Sequence, residues 1–149
     1  MERTLIILKP DAVERRLMGE IIGRFERKGL KVVGMKLGIA SRDTVQEHYE
    51  EHREKPFFGD VVGFMCGGPT CVMVLEGNHA IGVCRRLMGK TRAFESDPGT
   101  IRGDLGLSGQ FNLVHGSDSP ESAERELAIW FEPDELLSYE LPDEKWVAQ

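Results

Sequence analysis

A chain of 149 residues is long enough to bury one substantial core and too short for two ordinary domains, so residues 1–149 are read as a single domain. With 40% hydrophobic and 30% charged residues it has the composition of an ordinary globule, which excludes a disordered or collagen-like chain. The formal charge of −6 excludes a broad basic face for nucleic acid, although a few converging cations could still hold a small anion.

Cys66, Cys71 and Cys84 are odd in number and lack CxxC spacing, so three buried or half-buried thiols are expected rather than a disulfide framework or a zinc site. No stretch has the length of a membrane span, and the short apolar run after Met1-Glu2-Arg3-Thr4 is too brief for a signal peptide. A cytoplasmic protein is the expectation.

Leu5-Ile6-Ile7-Leu8 is a continuous apolar run ended by Lys9-Pro10, the pattern of a central strand covered on both faces. Met18, Ile21, Ile22 and Phe25 recur at helical spacing, and Gly29 follows in the place of a helix-ending glycine. From Val33 the residues alternate, with Met35, Leu37 and Ile39 on one face of a half-exposed strand. Ser41 to about Arg53 reads as a polar helix, and Phe57 to Met65 as a more apolar one before Gly67-Gly68-Pro69. Cys71 to Leu75 is a second continuous apolar strand, after which Asn78 is expected to cap a helix that buries Ala80, Ile81, Cys84, Leu87 and Met88. Lys90 to Gly109 shows little periodicity, and so long an irregular loop is usually functional. Asn112-Leu113-Val114-His115 is a last short strand, and Ser119-Pro120-Glu121 opens a helix expected to end near Phe131. The order β-α-β-β-α-β with helical insertions predicts an α+β, ferredoxin-like split βαβ fold, a four-stranded antiparallel sheet with helices on its faces.

His115 sits where the last strand hands over to a capped helix, with Gly116 leaving room for close approach. A neutral imidazole can attack phosphorus without first losing a proton, yet a lone histidine is more often a satisfied core residue. Glu126 shares the inward side of the last helix with Ala123 and Trp130, so it either orients His115 or pairs with a cation at the rim. Lys9, Arg85 and Arg102 follow three different elements; meeting at one point they could hold a di- or triphosphate, and separately each would be a solvated charge. Gly89-Lys90-Thr91 imitates the tail of a P-loop, but the required first glycine would fall on Cys84 and a helix precedes it. His48 to His52 matches H-x-x-E-H, a zinc pattern, on a helix that is polar on nearly every side and has no obvious third ligand.

Asn112-Leu113-Val114-His115-Gly116-Ser117-Asp118-Ser119 resembles the active-site signature of nucleoside diphosphate kinases. Lys9-Pro10-Asp11, Gly19-Glu20-Ile21-Ile22, Pro56-Phe57-Phe58, Pro98 to Asp104 and Glu121 to Glu124 resemble the same family in order, over nearly the whole chain. The resemblance implies a ping-pong transfer with low base selectivity, in which a nucleoside triphosphate, usually ATP, phosphorylates His115 and a nucleoside diphosphate collects the phosphate. It implies that Lys9 and Asn112 hold the ribose hydroxyls, that Arg85, Thr91 and Arg102 bind phosphates, and that Tyr49 contacts the transferring group. Phe57 would stack on the base, and Glu126 and Ser117 would position the imidazole. Mg²⁺ would arrive on the nucleotide, with Asp118 reaching it through water. A homo-oligomer, tetramer or hexamer, is also implied. Three stretches depart from the pattern. Arg92-Ala93-Phe94 stands where many members have Asn-Pro-Ala, in a loop that resembles one involved in subunit contacts. Gly109-Gln110-Phe111 replaces a small apolar residue, a glycine and a charged residue beside the base site, and the tail from Tyr139 to Gln149 matches no specific family ending.

Overall fold

The computed structural model describes residues 1–148. Four strands, β1 (Glu2–Leu8), β2 (Lys31–Gly38), β3 (Thr70–Gly77) and β4 (Val114–Gly116), form one antiparallel sheet in the order β2-β3-β1-β4. Its helices are α1 (Pro10–Glu14), α2 (Met18–Arg27), α3 (Arg42–His48), α4 (Phe58–Cys66), α5 (Ala80–Met88), α6 (Ile101–Leu105), α7 (Pro120–Trp130) and α8 (Glu144–Val147). The β1-α2-β2 and β3-α5-β4 halves give the ferredoxin-like arrangement, with α3 and α4 inserted between β2 and β3.

Strand alternation divides the core into two layers. Ile6, Leu8, Met73 and Leu75 face Ile21 and Phe25 of α2 and Ala80, Cys84 and Met88 of α5. Leu5, Ile7, Val72 and Val74 face Val45, Val62, Met65 and Trp130, from α3, α4 and α7. Thr4 to Leu8 are buried throughout, as a strand covered on both faces requires. The register Ile7↔His115, flanked by Leu8↔Val114 and Ile6↔Gly116, therefore sends His115 to the α3/α7 layer and leaves Gly116 against α5. A Cβ on Gly116 would lie 2.7 Å from Met88 Sδ, so the group that approaches this glycine closely is the α5 core.

Several expectations need correction. The helix from Ser41 ends at His48 and is followed by a separate 3₁₀ turn, Glu50–His52; it is not polar all round, since Val45 and His48 are buried. The cap of α5 is His79 in a left-handed conformation, with no side-chain cap, rather than Asn78. The stretch from Lys90 to Gly109 contains α6, capped by Thr100, and a 3₁₀ turn, Ala93–Glu95. The last strand begins at Val114, because Leu113 adopts φ +70 and closes a tight turn in which Val114 N–H donates to Asn112 O. In β2 an irregularity between Val32 and Gly34 turns Val33 inward, and Met35, Leu37 and Ile39 are left exposed on the sheet edge. The three cysteines are as expected, Cys71 and Cys84 buried and Cys66 half-buried. The tail folds back on β2, where Lys31 Nζ donates to Tyr139 O and to Glu144 Oε1, both at 2.6 Å. Gln149 lies outside the described residues.

Candidate active site

β1 ends and β4 begins at the same edge of the sheet, so Lys9 and Asn112 meet: Lys9 Nζ donates to Asn112 Oδ1 at 2.8 Å. Asn112 Nδ2 donates in turn to Thr91 O at 2.8 Å. The left-handed Leu113 between Asn112 and β4 is a strained position for a branched residue. Asp11 Oδ2 accepts its N–H at 3.0 Å, and Lys9 N–H donates to its carbonyl at 2.9 Å, so the turn is gripped from the first strand's end.

His115 Nε2 lies 2.8 Å from Glu126 Oε1, and Ser117 Oγ donates to the same oxygen at 2.8 Å. Burial pushes the Glu126 carboxyl up, but the His115 ring and the Ser117 hydroxyl outweigh it and hold the carboxyl below its ordinary value. An ionised carboxylate only accepts, so Nε2 carries the proton and the lone pair sits on Nδ1. The buried His48 packs edge-to-face on the His115 ring, with centroids 4.6 Å apart. Its own Nδ1 accepts from Trp130 Nε1 at 3.0 Å, and burial lowers its pKa to about 3. A neutral ring thus backs His115. Tyr49, at the end of α3, packs on His48; burial and the nearby Glu126 charge raise its phenol to about 12, so it acts only as a neutral hydroxyl.

Arg102 lies buried beneath the site. Its guanidinium donates to Asn112 O at 3.1 Å, Gly89 O at 3.2 Å and Val114 O at 2.5 Å, so three of its five N–H groups bind the frame and two have no protein acceptor among the described residues. Burial and the neighbouring Arg85 lower its pKa to about 10, which still leaves it charged at neutral pH. Arg85, on the exposed side of α5, donates to Gly116 O at 3.2 Å. His115, Glu126, Ser117, Lys9, Asn112, Arg85 and Arg102 are therefore linked through β4 and the turn before it, with Thr91 joined through its carbonyl. Phe57 is half exposed and packs against His52, with ring centroids 5.7 Å apart.

The family model described as nucleoside diphosphate kinase matches residues 2–136. The chain belongs to the nucleoside diphosphate kinase family. A relative of that name from Archaeoglobus fulgidus is 53% identical over 147 residues, covering 99% of this chain and 97% of its own. Another, from Brevibacillus brevis, is 50% identical over 147 residues, covering 99% of this chain and all of its own. Among solved structures, the nucleoside diphosphate kinase of Halobacterium salinarum in complex with CDP shares 45% identity and a TM-score of 0.96, with 99% of both chains covered. Membership makes the chain a nucleotide-binding phosphotransferase, a kinase.

The contacts of His48, Trp130 and Asp11 around these residues are not legible in the sequence, because each joins elements far apart in the chain. The weak H-x-x-E-H zinc signal falls in the same region. The pattern's two histidines do not converge: His48 is buried behind His115, while His52 lies out by Phe57. His48, His115 and Glu126 do bring three ligand-type atoms within 4.8 Å, but this set is rich in nitrogen and suits Mg²⁺ poorly. Asp118 fits Mg²⁺ better. It is exposed where α7 begins, and the Ser122 hydroxyl holds its carboxyl below the ordinary value. One exposed carboxylate is the kind of ligand that a largely hydrated, nucleotide-borne Mg²⁺ could use.

Proposed function

We propose that the chain, working as one domain, transfers the γ-phosphate of a nucleoside triphosphate to a nucleoside diphosphate through a phosphohistidine at His115. The observation that carries this reading is the His115 Nε2···Glu126 Oε1 pair at 2.8 Å, which leaves the Nδ1 lone pair for the cleft. Nδ1 attacks the γ-phosphorus, the bond from phosphorus to the bridging oxygen breaks, and the diphosphate leaves with that oxygen's electron pair. The ring gains positive character as the N–P bond forms, and the Glu126 carboxylate, held by Ser117, stabilises it. Arg85, Thr91 and the two spare N–H groups of Arg102 bind the phosphates, and Tyr49 offers its hydroxyl to the transferring group. Lys9 and Asn112 hold the ribose, and Phe57 stacks on the base, a contact every base can make. Mg²⁺, carried by the nucleotide and reached by Asp118 through water, neutralises phosphate charge when bound. The second half-reaction reverses these steps with a different nucleoside diphosphate.

The test is to mix the protein with γ-labelled ATP and Mg²⁺, isolate it, and add GDP. Acid-labile label that forms and discharges as GTP supports the reading; bound nucleotide without a phosphoenzyme overturns it and favours a binding module.

Lys9 adds a pH signature. Burial, with help from Arg102, lowers its pKa to about 8 from an ordinary value of 10.5. kcat/KM, which reports the free enzyme, is expected to fall as pH rises through about 8 and Lys9 loses its charge. Stability moves the other way: between those two values the unfolded chain binds the extra proton, so Lys9's contribution to unfolding free energy increases with pH. Lys9→Arg, charged throughout, should flatten the activity limb. A limb of unchanged shape in that variant assigns it to another group.

We place the protein in the cytoplasm; no helix among the described residues is long and apolar enough to cross a membrane. We also propose a homo-oligomer, a tetramer or hexamer, supported by the exposed Met35 and Leu37 on the edge strand β2 and Ile39 just after it. Light scattering is expected to give four or six times the 16.7 kDa chain mass, and Leu37→Glu to lower it. A monomer at micromolar concentration would refute the assembly.

A further inference from the structure

The turn that carries Asn112 into β4 is held by three charged side chains. Lys9 Nζ donates to Asn112 Oδ1 at 2.8 Å, Arg102 Nε donates to Asn112 O at 3.1 Å, and Asp11 Oδ2 accepts from Leu113 N–H at 3.0 Å. Two cations and one anion thus meet on two successive residues. Pro10 fixes the spacing of Lys9 and Asp11: Lys9 caps α1, Pro10 is its first residue, and Lys9 O accepts from Ala12 N–H at 2.9 Å.

The bond to Leu113 does not explain a carboxylate at position 11. A backbone N–H is satisfied by a neutral acceptor, and the second oxygen, Oδ1, is buried with no hydrogen-bond partner among the described residues, a costly state for a charged group. What the carboxylate adds is negative charge beside Lys9 and Arg102, whose like charges repel. It acts across space, since Asp11 forms no ion pair with either cation among the described residues, and Lys9 keeps its N–H groups for Asn112 and a ligand. Besides Arg102 of α6 and Asp11 of α1, the titratable groups around the Lys9 ammonium are the neutral His48 and Tyr49 at the end of α3, and Asp60 on α4. Asp60 is exposed, so solvent screens it. Burial and Arg102 lower the Lys9 pKa, and Asp11 raises it.

We propose that Asp11 is a positioning residue for the transfer, which holds the Asn112-Leu113 turn with one oxygen and, with its charge, offsets Arg102 at the Lys9 ammonium. This rests on the phosphotransfer reading only for the part that Lys9 plays with the nucleotide.

The experiment compares the pH dependence of kcat/KM in the unsubstituted chain, Asp11→Asn and Asp11→Ala, beside the titration of Lys9 followed by its Cε NMR signal without nucleotide. Asp11→Asn keeps an acceptor for Leu113 N–H and removes the charge. Its alkaline limb and its Lys9 titration are expected to move together to lower pH by roughly one pH unit, a deficit that widens to roughly fivefold at pH about 8. Asp11→Ala also loses the acceptor, so a lower Tm and a higher KM at every pH should accompany the same movement. In a Lys9→Arg background, where the side chain stays charged, Asp11→Asn should add no pH-dependent loss. A loss by one constant factor at all pH values, with Lys9 titrating as in the unsubstituted chain, would reduce Asp11 to a prop for the turn and overturn the proposal. So would an unmoved profile, or a limb that still moves in the Lys9→Arg background. Asp11→Ser, with another neutral acceptor, replaces the asparagine variant if that one does not fold. A chain that forms no phosphoenzyme would remove the reaction reading alone, and the Lys9 titration then decides Asp11.

Discussion

His115→Asn is expected to lower phosphotransfer by on the order of a millionfold, the scale seen when a covalent nucleophile is removed from a working site. Ser117 Oγ still donates to Glu126 Oε1 at 2.8 Å in this variant, so the buried carboxylate keeps a partner and the fold should persist. What disappears is the Nδ1 lone pair. Circular dichroism and a thermal melt would verify the fold, and labelling with γ-labelled ATP would report the chemistry. Turnover within tenfold of the unsubstituted chain would remove His115 from the nucleophile's position.

Arg102→Ala should damage both stability and rate. Three backbone carbonyls, at Gly89, Asn112 and Val114, converge on this guanidinium, joining the end of α5 to both sides of the strained turn at Leu113. Leaving buried acceptors without a charged donor is expected to cost about 3 kcal/mol or more in denaturant unfolding. The loss of its spare donors to the phosphates would reduce kcat/KM by a further factor of roughly ten to a hundred. Arg102→Lys separates the effects, since it keeps the charge but cannot reach three carbonyls in one plane. Unfolding free energy within about 1 kcal/mol of the unsubstituted chain would contradict the structural part of this role.

The outline of the fold was legible wherever local pattern and tertiary demand coincide. Leu5 to Leu8 read as a central strand and is buried on both faces; Met18 to Phe25 read as a helix face, and Ser119-Pro120 as a helix start, and all are found. The spacing of Ala123, Glu126 and Trp130 puts them on the inward side of their helix, and all three are buried. What could not be read depends on partners far away in the chain. Leu113 has no intrinsic reason to take a left-handed conformation; Asp11 and Arg102 impose it. His48 looked like part of a polar helix because nothing in the sequence shows that Trp130 accepts it as a neighbour. The contact between Phe94 and Gly109 joins two departures that seemed independent when taken in chain order.

The short strand β4 pairs only three residues with β1, and the bonds that fix its position span long loops: 103 residues separate Lys9 from Asn112, and 112 separate Leu5 from Ser117. It is also the last strand to be synthesised, and such long-range closures are entropically the slowest to form. The reactive imidazole therefore comes into existence only when the sheet's topology is complete. A molecule that carries label on His115 has, by that fact, finished folding, so phosphoenzyme yield during refolding would count native chains one by one.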